Sequence, residues 1–299
     1  MNEKLKVTRT LGFEIECFAD VPSRTDSWGD TYVDYDDVSI RNCEVSTDGS
    51  LYGGSGTPLE AKTDPIKNLN IVEEVYKELS GMDMNVNKTC GLHIHVDTSD
   101  YTIEDKAKLL RFGAGIELLM FALVDKSRQG NEYTEKLHKG WRKLFRSNFM
   151  TQSIPFDSFN NFSQLERYIQ NNSTHRDARH IWNGRYQWLN AVVSHCPTAE
   201  FRIFSATTDY KQAQKFGMLA YHIVETIKNS TIEQVRFIIQ SIYQSQSVDE
   251  MLDRLFDSIG LDGEFRPEIL NDKMAEYIDN KFCKPIRERE LVGGEQRAV

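Results

Sequence analysis

The chain has 299 residues, of which 39% are hydrophobic and 27% charged, a balance that supplies a substantial core and excludes a disordered or low-complexity protein. A formal net charge of −9 speaks against generic nucleic-acid binding, which needs clustered Lys and Arg, although an acidic protein can still take a nucleotide through metal ions. The five cysteines are widely spaced without a CxxC pair, and no apolar run suggests a signal peptide or a membrane span, so the expectation is a soluble protein with reduced thiols in the cytoplasm.

Residues 5–18 end in a strand: Leu11, Phe13, Ile15 and Cys17 alternate with Gly12, Glu14 and Glu16. The stretch 20–56 is rich in Asp, Gly, Ser and Thr and reads as loops and short strands, closing on Asp48-Gly49-Ser50 and Gly53-Gly54-Ser55-Gly56. Thr57 to Lys62 fits a second strand, after which Asp64-Pro65 is expected to open a helix carrying Ile71, Val75 and Leu79. Leu92-His93-Ile94-His95-Val96 is a third strand, with its histidines on one side. Thr102 and Asp105 then form a capping-box pattern ahead of a helix through Leu109, Phe112, Ile116, Leu119 and Leu123. A basic helical stretch follows at Lys136, Lys139, Arg142, Lys143 and Arg146, then a polar segment over 151–180 and a helical or irregular Arg185 to Val193. Glu200 to Phe204 alternates as a strand. Beyond about 209 the pattern is helical, with starts at Ser230/Glu233 and Ser247/Glu250 and a frayed polar tail over 286–299. This order predicts an α+β fold in which helices cover one face of a largely antiparallel sheet.

Three of these strands pair an apolar face with one that carries Glu14 and Glu16, His93 and His95, or Glu200 and Arg202. Residues two apart on a strand project to the same side, roughly 7 Å apart, so neighbouring strands would make these side chains converge. Clustered carboxylates repel one another unless a cation lies between them, and carboxylate oxygens with an occasional imidazole suit Mg²⁺ or Mn²⁺. Glu60 is a further candidate ligand after the glycine-rich loop. Each piece has a plainer reading: a solvated strand face for Glu14 and Glu16, a structural or zinc-hydrolase HxH pair for His93 and His95, a surface ion pair for Glu200 and Arg202. Their co-occurrence on three alternating strands favours a site.

Other features read as structure. The glycine run lacks the lysine of a P-loop and fits a flexible turn. The 136–146 stripe fits a solvated helix face. Trp141 and Trp188 fit core or rim, Met82 and Met84 fit packing, and His138, His175, His180, His195 and His222 show no ligand spacing.

The ordered set Gly12-Phe13-Glu14-Ile15-Glu16, Asp48-Gly49-Ser50, Leu59-Glu60 with Pro65, Cys90-Gly91-Leu92-His93-Ile94-His95, Ser127-Arg128, Arg185-Tyr186 with Asn190, and Glu200-Phe201-Arg202 resembles the amidoligases. These are ATP-dependent carboxylate–amine ligases related to glutamine synthetase and glutamate–cysteine ligase. The resemblance covers roughly residues 10–225. It implies a curved antiparallel sheet of the glutamine synthetase catalytic-domain type with helices on its outer face, and a site for ATP and Mg²⁺ or Mn²⁺ ions. Glu14, His93 and Glu200 would hold an ion near the ATP phosphates. Glu16 and Glu60 would hold one near the carboxylate to be activated. His95, Arg128, Arg185 and Arg202 would contact phosphates or the acyl-phosphate; Asn190 falls within the same matched set, and Asp48 is a candidate base. Residues 20–47 and 150–180 match nothing in the family and read as insertions. Residues 1–230 would form the catalytic domain and 231–299 a helical extension packed on it.

The implied reaction joins a small-molecule or peptide carboxylate to an amine through an acyl-phosphate, with no nucleic-acid or membrane partner and an open oligomeric state. Two other readings stay open at this level: a zinc hydrolase using His93 and His95, and a non-catalytic binding module on the same fold.

Overall fold

A computed structural model describes residues 3–28, 30–129, 137, 164, 187–191 and 196–295. Its centre is a seven-stranded antiparallel sheet. Strand β1 (Lys6–Ala19) runs through the middle, and β2 (Arg24–Thr25) and β3 (Thr31–Tyr32) form a separate small hairpin. The remaining strands are β4 (Cys43–Ser46), β5 (Thr57–Thr63), β6 (Ile66–Asn68), β7 (Gly91–Asp97), β8 (Leu189–Asn190) and β9 (Thr198–Ser205). Their order is β4-β5-β1-β7-β9-β8, with β6 also paired to β1. The segment 20–47, unmatched at the sequence level, thus supplies the edge strand β4.

The odd-numbered residues Leu11, Phe13, Ile15 and Cys17 of β1 are at most 1% exposed, and Leu92, Ile94 and Val96 of β7 extend the same apolar face. Helices α1 (Asn70–Ser80), α2 (Ile103–Ala122) and α3 (Tyr210–Asn229) join this core, and α3 packs directly on β1, β7 and β9. Close approach requires Gly217 of α3: a Cβ there would stand 2.6 Å from Phe13 Cζ. Helix α2 begins as expected, with a reciprocal capping box between Thr102 and Asp105. Helices α4 (Ile232–Ile242), α5 (Val248–Ser258), α6 (Asp272–Ile278) and α7 (Lys284–Glu295) follow, and α4 and α6 pack on α2.

Four local expectations need correction. The chain after Asp64-Pro65 first makes β6, because Ile66 pairs with Leu11; α1 opens only at Asn70, whose N–H donates to Asn68 Oδ1. Arg185 to Val193 is not helical where it is described: Leu189 and Asn190 pair with β9. Helix α4 is capped by Thr231 and Gln234 rather than Ser230 and Glu233, since Ser230 closes α3. The tail is helical through Glu295, continuing from a π turn at Asp279–Cys283 that Arg287 fastens through Asp279. Trp188 is core, and Met82 and Met84 pack against the core. His222 is held by the Ile259 carbonyl. The basic stripe apart from Leu137, the segment 150–180 apart from Gln164, and Trp141, His138, His175, His180 and His195 lie outside the described residues.

Candidate active site on the polar face of the sheet

Strand pairing turns the separate sequence motifs into a grid. One row runs Glu44, Lys62, Glu14, His93 across β4, β5, β1 and β7. A second runs Ser46, Glu60, Glu16. A third runs Gly12, His95, Glu200, Asn190 across β1, β7, β9 and β8. Because β1 alternates from Leu11 to Cys17 and β7 from Leu92 to Val96, Glu14, Glu16, His93 and His95 share the face opposite the helices. Strand β9 departs from strict alternation. Leu92 pairs with Phe204 and Ile94 with Phe201, so Arg202 and Ile203 together oppose His93 in a bulge. Phe204, which simple alternation would put on the polar face, is fully buried and stacks on Phe201 and Phe216.

His93 sits at the junction of the cluster, 2% exposed. Its Nδ1 lies 3.1 Å from Glu14 Oε2 and 4.0 Å from Glu200 Oε1, and its Nε2 lies 3.4 Å from Glu16 Oε1. His95 Nδ1 is 3.0 Å from Thr198 Oγ1, while its Nε2 is 3.2 Å from Glu14 Oε1. Both Nε2 atoms are buried without a well-aligned hydrogen bond. Glu16 Oε2 accepts the Gly91 N–H at 2.5 Å. Glu200 is bracketed by Arg202 Nη1 and by Asn190 Nδ2, the latter at 3.3 Å. Glu60 pairs with Lys62 Nζ at 2.8 Å.

Arg128 is 1% exposed and its Nη2 donates to the Arg202 carbonyl at 2.8 Å. Its guanidinium lies so close to Gly91 that a Cβ there would stand 2.7 Å from Nη2. The position therefore supports the backbone of β9. Asp48 lies in the loop between β4 and β5, where its Oδ1 accepts the Ser50 N–H. Arg185 falls outside the described residues.

The charge balance on this face is uneven. Burial pushes the Glu14 carboxyl up, but the contacts and charge of His93 and His95 outweigh it and hold the group well below the usual carboxylate range. Burial and the Glu14 charge raise the Glu60 carboxyl against the pull of Lys62. Burial lowers the His95 imidazole, yet Glu14 and Glu200 prevail and raise it. Burial brings the Arg128 guanidinium down to about 10, which leaves it charged at neutral pH, with Glu16 opposing the shift. Among the described residues two sets of donors can each hold a metal ion: Glu14, His93 and Glu200, and Glu16, Glu60 and His93. Within each set the ligand atoms lie within 4.8 Å of one another. Each set holds two carboxylates and one imidazole, the hard-donor composition that suits Mg²⁺ or Mn²⁺. Among the described residues neither set contains both His93 and His95, although both rings lie against Glu14.

Sequence reasoning passed over Lys62, Glu44, Thr198 and the Gly91 N–H. Lys62 carries a readable signal, since it stands two residues after Glu60 on the same strand. The other three become visible only through pairing.

An antiparallel sheet, helices on its apolar face and a carboxylate–imidazole cluster on the other define an α+β protein with a concentrated acidic site. A family described as "Putative amidoligase enzyme" matches residues 7–224, more than two thirds of the chain. The chain belongs to this amidoligase family. No curated protein matches. Among solved structures, a bifunctional glutathione synthetase from Pasteurella multocida aligns with 92% of this chain at 12% identity and a TM-score of 0.38. The chain spans about half the length of that protein, 48%. No helix among the described residues is long and apolar enough to cross a membrane.

Proposed function

We propose that the protein is an ATP-dependent carboxylate–amine ligase that activates its acid as an acyl-phosphate and uses Mg²⁺ or Mn²⁺. The observation that carries this reading is the pair of adjoining donor sets that meet at His93. Four carboxylates drawn from three strands gain from cations placed between them, and the buried Nε2 of His95 has an unaligned partner that a ligand could replace. A neutral imidazole has one free lone pair, so His93 serves one ion. With Nδ1 as the ligating atom, it joins Glu14 and Glu200, while its Nε2–H points toward Glu16, which with Glu60 forms the second set. The sheet type of glutamine synthetase belongs to this same proposal.

The bound ions would neutralise phosphate charge and bring the acid's oxygen and the γ-phosphate together. The protein's own groups do the rest. Arg202, held through Glu200 and anchored at its carbonyl by Arg128, presents a guanidinium beside the cluster where charge develops on the transferring phosphoryl group. Asn190 orients Glu200. Thr198 fixes the ring of His95, and the imidazolium that Glu14 and Glu200 favour would donate a hydrogen bond to a phosphate oxygen. The acid's oxygen attacks the γ-phosphorus and ADP leaves. The amine nitrogen then attacks the acyl carbon, phosphate leaves with the C–O bonding pair, and one amine proton passes to a base. Asp48 is the candidate base, Arg185 completes the proposed phosphate-facing set, and Arg128 supports Arg202 from beneath.

Hydroxylamine gives a direct test, since it intercepts an acyl-phosphate as a hydroxamate. The enzyme, ATP, Mg²⁺ and pooled carboxylates should yield hydroxamate with matching ADP. ATP hydrolysis that never produces hydroxamate and is indifferent to added acids would overturn the proposal.

A further inference from the structure

We infer that Lys62 is the recognition group for the acid substrate's carboxylate, held in reserve by Glu60 until a divalent cation takes that carboxylate over. The inference rests on the ligase reading and assigns Lys62 a role the donor sets do not. Lys62 faces the site from β5, paired in register with Glu14 on one side and Glu44 on the other. Its Nζ lies 2.8 Å from Glu60 Oε2, yet its side chain is 40% exposed whereas that of Glu60 is 13% exposed. The ammonium is therefore at the open rim of the cluster, and the carboxylate that holds it belongs to the donor set Glu16, Glu60 and His93.

A carboxylate that ligates a dication has less electron density to share with an ammonium, and the dication repels the ammonium directly. Occupation of the Glu16/Glu60 set would loosen the Lys62–Glu60 pair. The flexible four-carbon stem leaves Nζ free to move toward solvent. The anionic group it meets there is the acid substrate, which by the same reading lies next to the second ion. One lysine thus does two things in sequence: it neutralises Glu60 and then binds the incoming carboxylate. That sequence favours cation binding before acid binding.

The test follows the amine itself. Lys62 of the intact protein is labelled with an amine-acylating reagent and quantified by peptide mass spectrometry, with Mn²⁺ binding measured in parallel. Mn²⁺ should raise Lys62 labelling about three- to tenfold while Lys4 and Lys77, whose partners are remote from the cluster, stay unchanged. Glu60→Gln should show the raised labelling without Mn²⁺. Acetate, the simplest carboxylate, should reverse the gain in the Mn²⁺ form, and chloride at equal ionic strength should not. Mn²⁺ that binds without changing Lys62 labelling overturns the exchange, and acetate that protects no better than chloride overturns the carboxylate role; in both cases the ligase reading stands. A protein that binds no Mn²⁺ at all overturns both.

Discussion

Two of the buried charge clusters in this fold differ in how their acidic groups are answered. Asp105, at the start of α2, is surrounded by its neutralisers: Lys108 Nζ at 2.9 Å, Lys228 Nζ at 2.8 Å and the Thr102 cap. Burial pushes its carboxyl up, but those contacts prevail and bring it down to about 2. Across the sheet, Glu14, Glu16, Glu60 and Glu200 are answered among the described residues mainly by Lys62, Arg202 and the two imidazoles, with Arg128 near Glu16. The first cluster is balanced and does structural work. Among the described residues the second sets four carboxylates against three fixed cations and two imidazoles, so its balance depends on protons that the imidazoles carry. Acidic content is equal evidence for neither function nor structure; the number of cations facing it separates the two.

Substitution should break the two clusters in opposite ways. Glu14→Gln conserves volume and removes a ligand charge, so ATP turnover should fall by about 10³-fold or more while the melting temperature holds or rises slightly, which steady-state kinetics and calorimetry would show together. A variant that unfolds instead would make Glu14 structural. Arg202→Ala should lower kcat by about 10²–10³-fold with a much smaller effect on the KM for ATP, as expected of a group acting on the transition state. An effect confined to KM would reduce Arg202 to a binding residue.

Asp105→Asn should leave catalysis intact and destabilise the fold by about 2 kcal/mol at neutral pH. The folded carboxyl near 2 lies below its ordinary value of 3.8. Its contribution is therefore complete above about pH 4 and is lost as the pH falls through about 2. Denaturation of wild type and variant should converge over that window; a difference that persists in full at the acid end would contradict the ion-pair account. The smallest effect belongs to Asp253→Asn. Asp253 pairs with Arg266 Nη1 at 3.0 Å, but its side chain is 64% exposed, and the melting temperature should not move measurably.

Much of this contrast was legible before any fold was known. Alternation at Leu11 to Cys17 and Leu92 to Val96 placed the apolar and polar faces correctly, because strand periodicity is a local property. The spacing also marked Glu14, Glu16, His93, His95 and Glu200 as facing residues, though not which strands would be neighbours. The rest depended on non-local pairing. The bulge that buries Phe204 reflects β7 opposite β9, and the delay of α1 to Asn70 reflects Ile66 meeting Leu11. Arg128 illustrates the same limit: its motif suggested a phosphate contact, whereas its burial against Gly91 and the Arg202 carbonyl gives it a supporting position. Short sequence patterns identify chemistry more readily than they identify what a side chain leans on.

The most direct test counts ions. Electron paramagnetic resonance can measure Mn²⁺ bound per chain in the presence of a non-hydrolysable ATP analogue. The account predicts two ions in the wild-type protein and at most one in Glu14→Gln. No bound Mn²⁺ in the wild type, or the full count retained by Glu14→Gln, would contradict it.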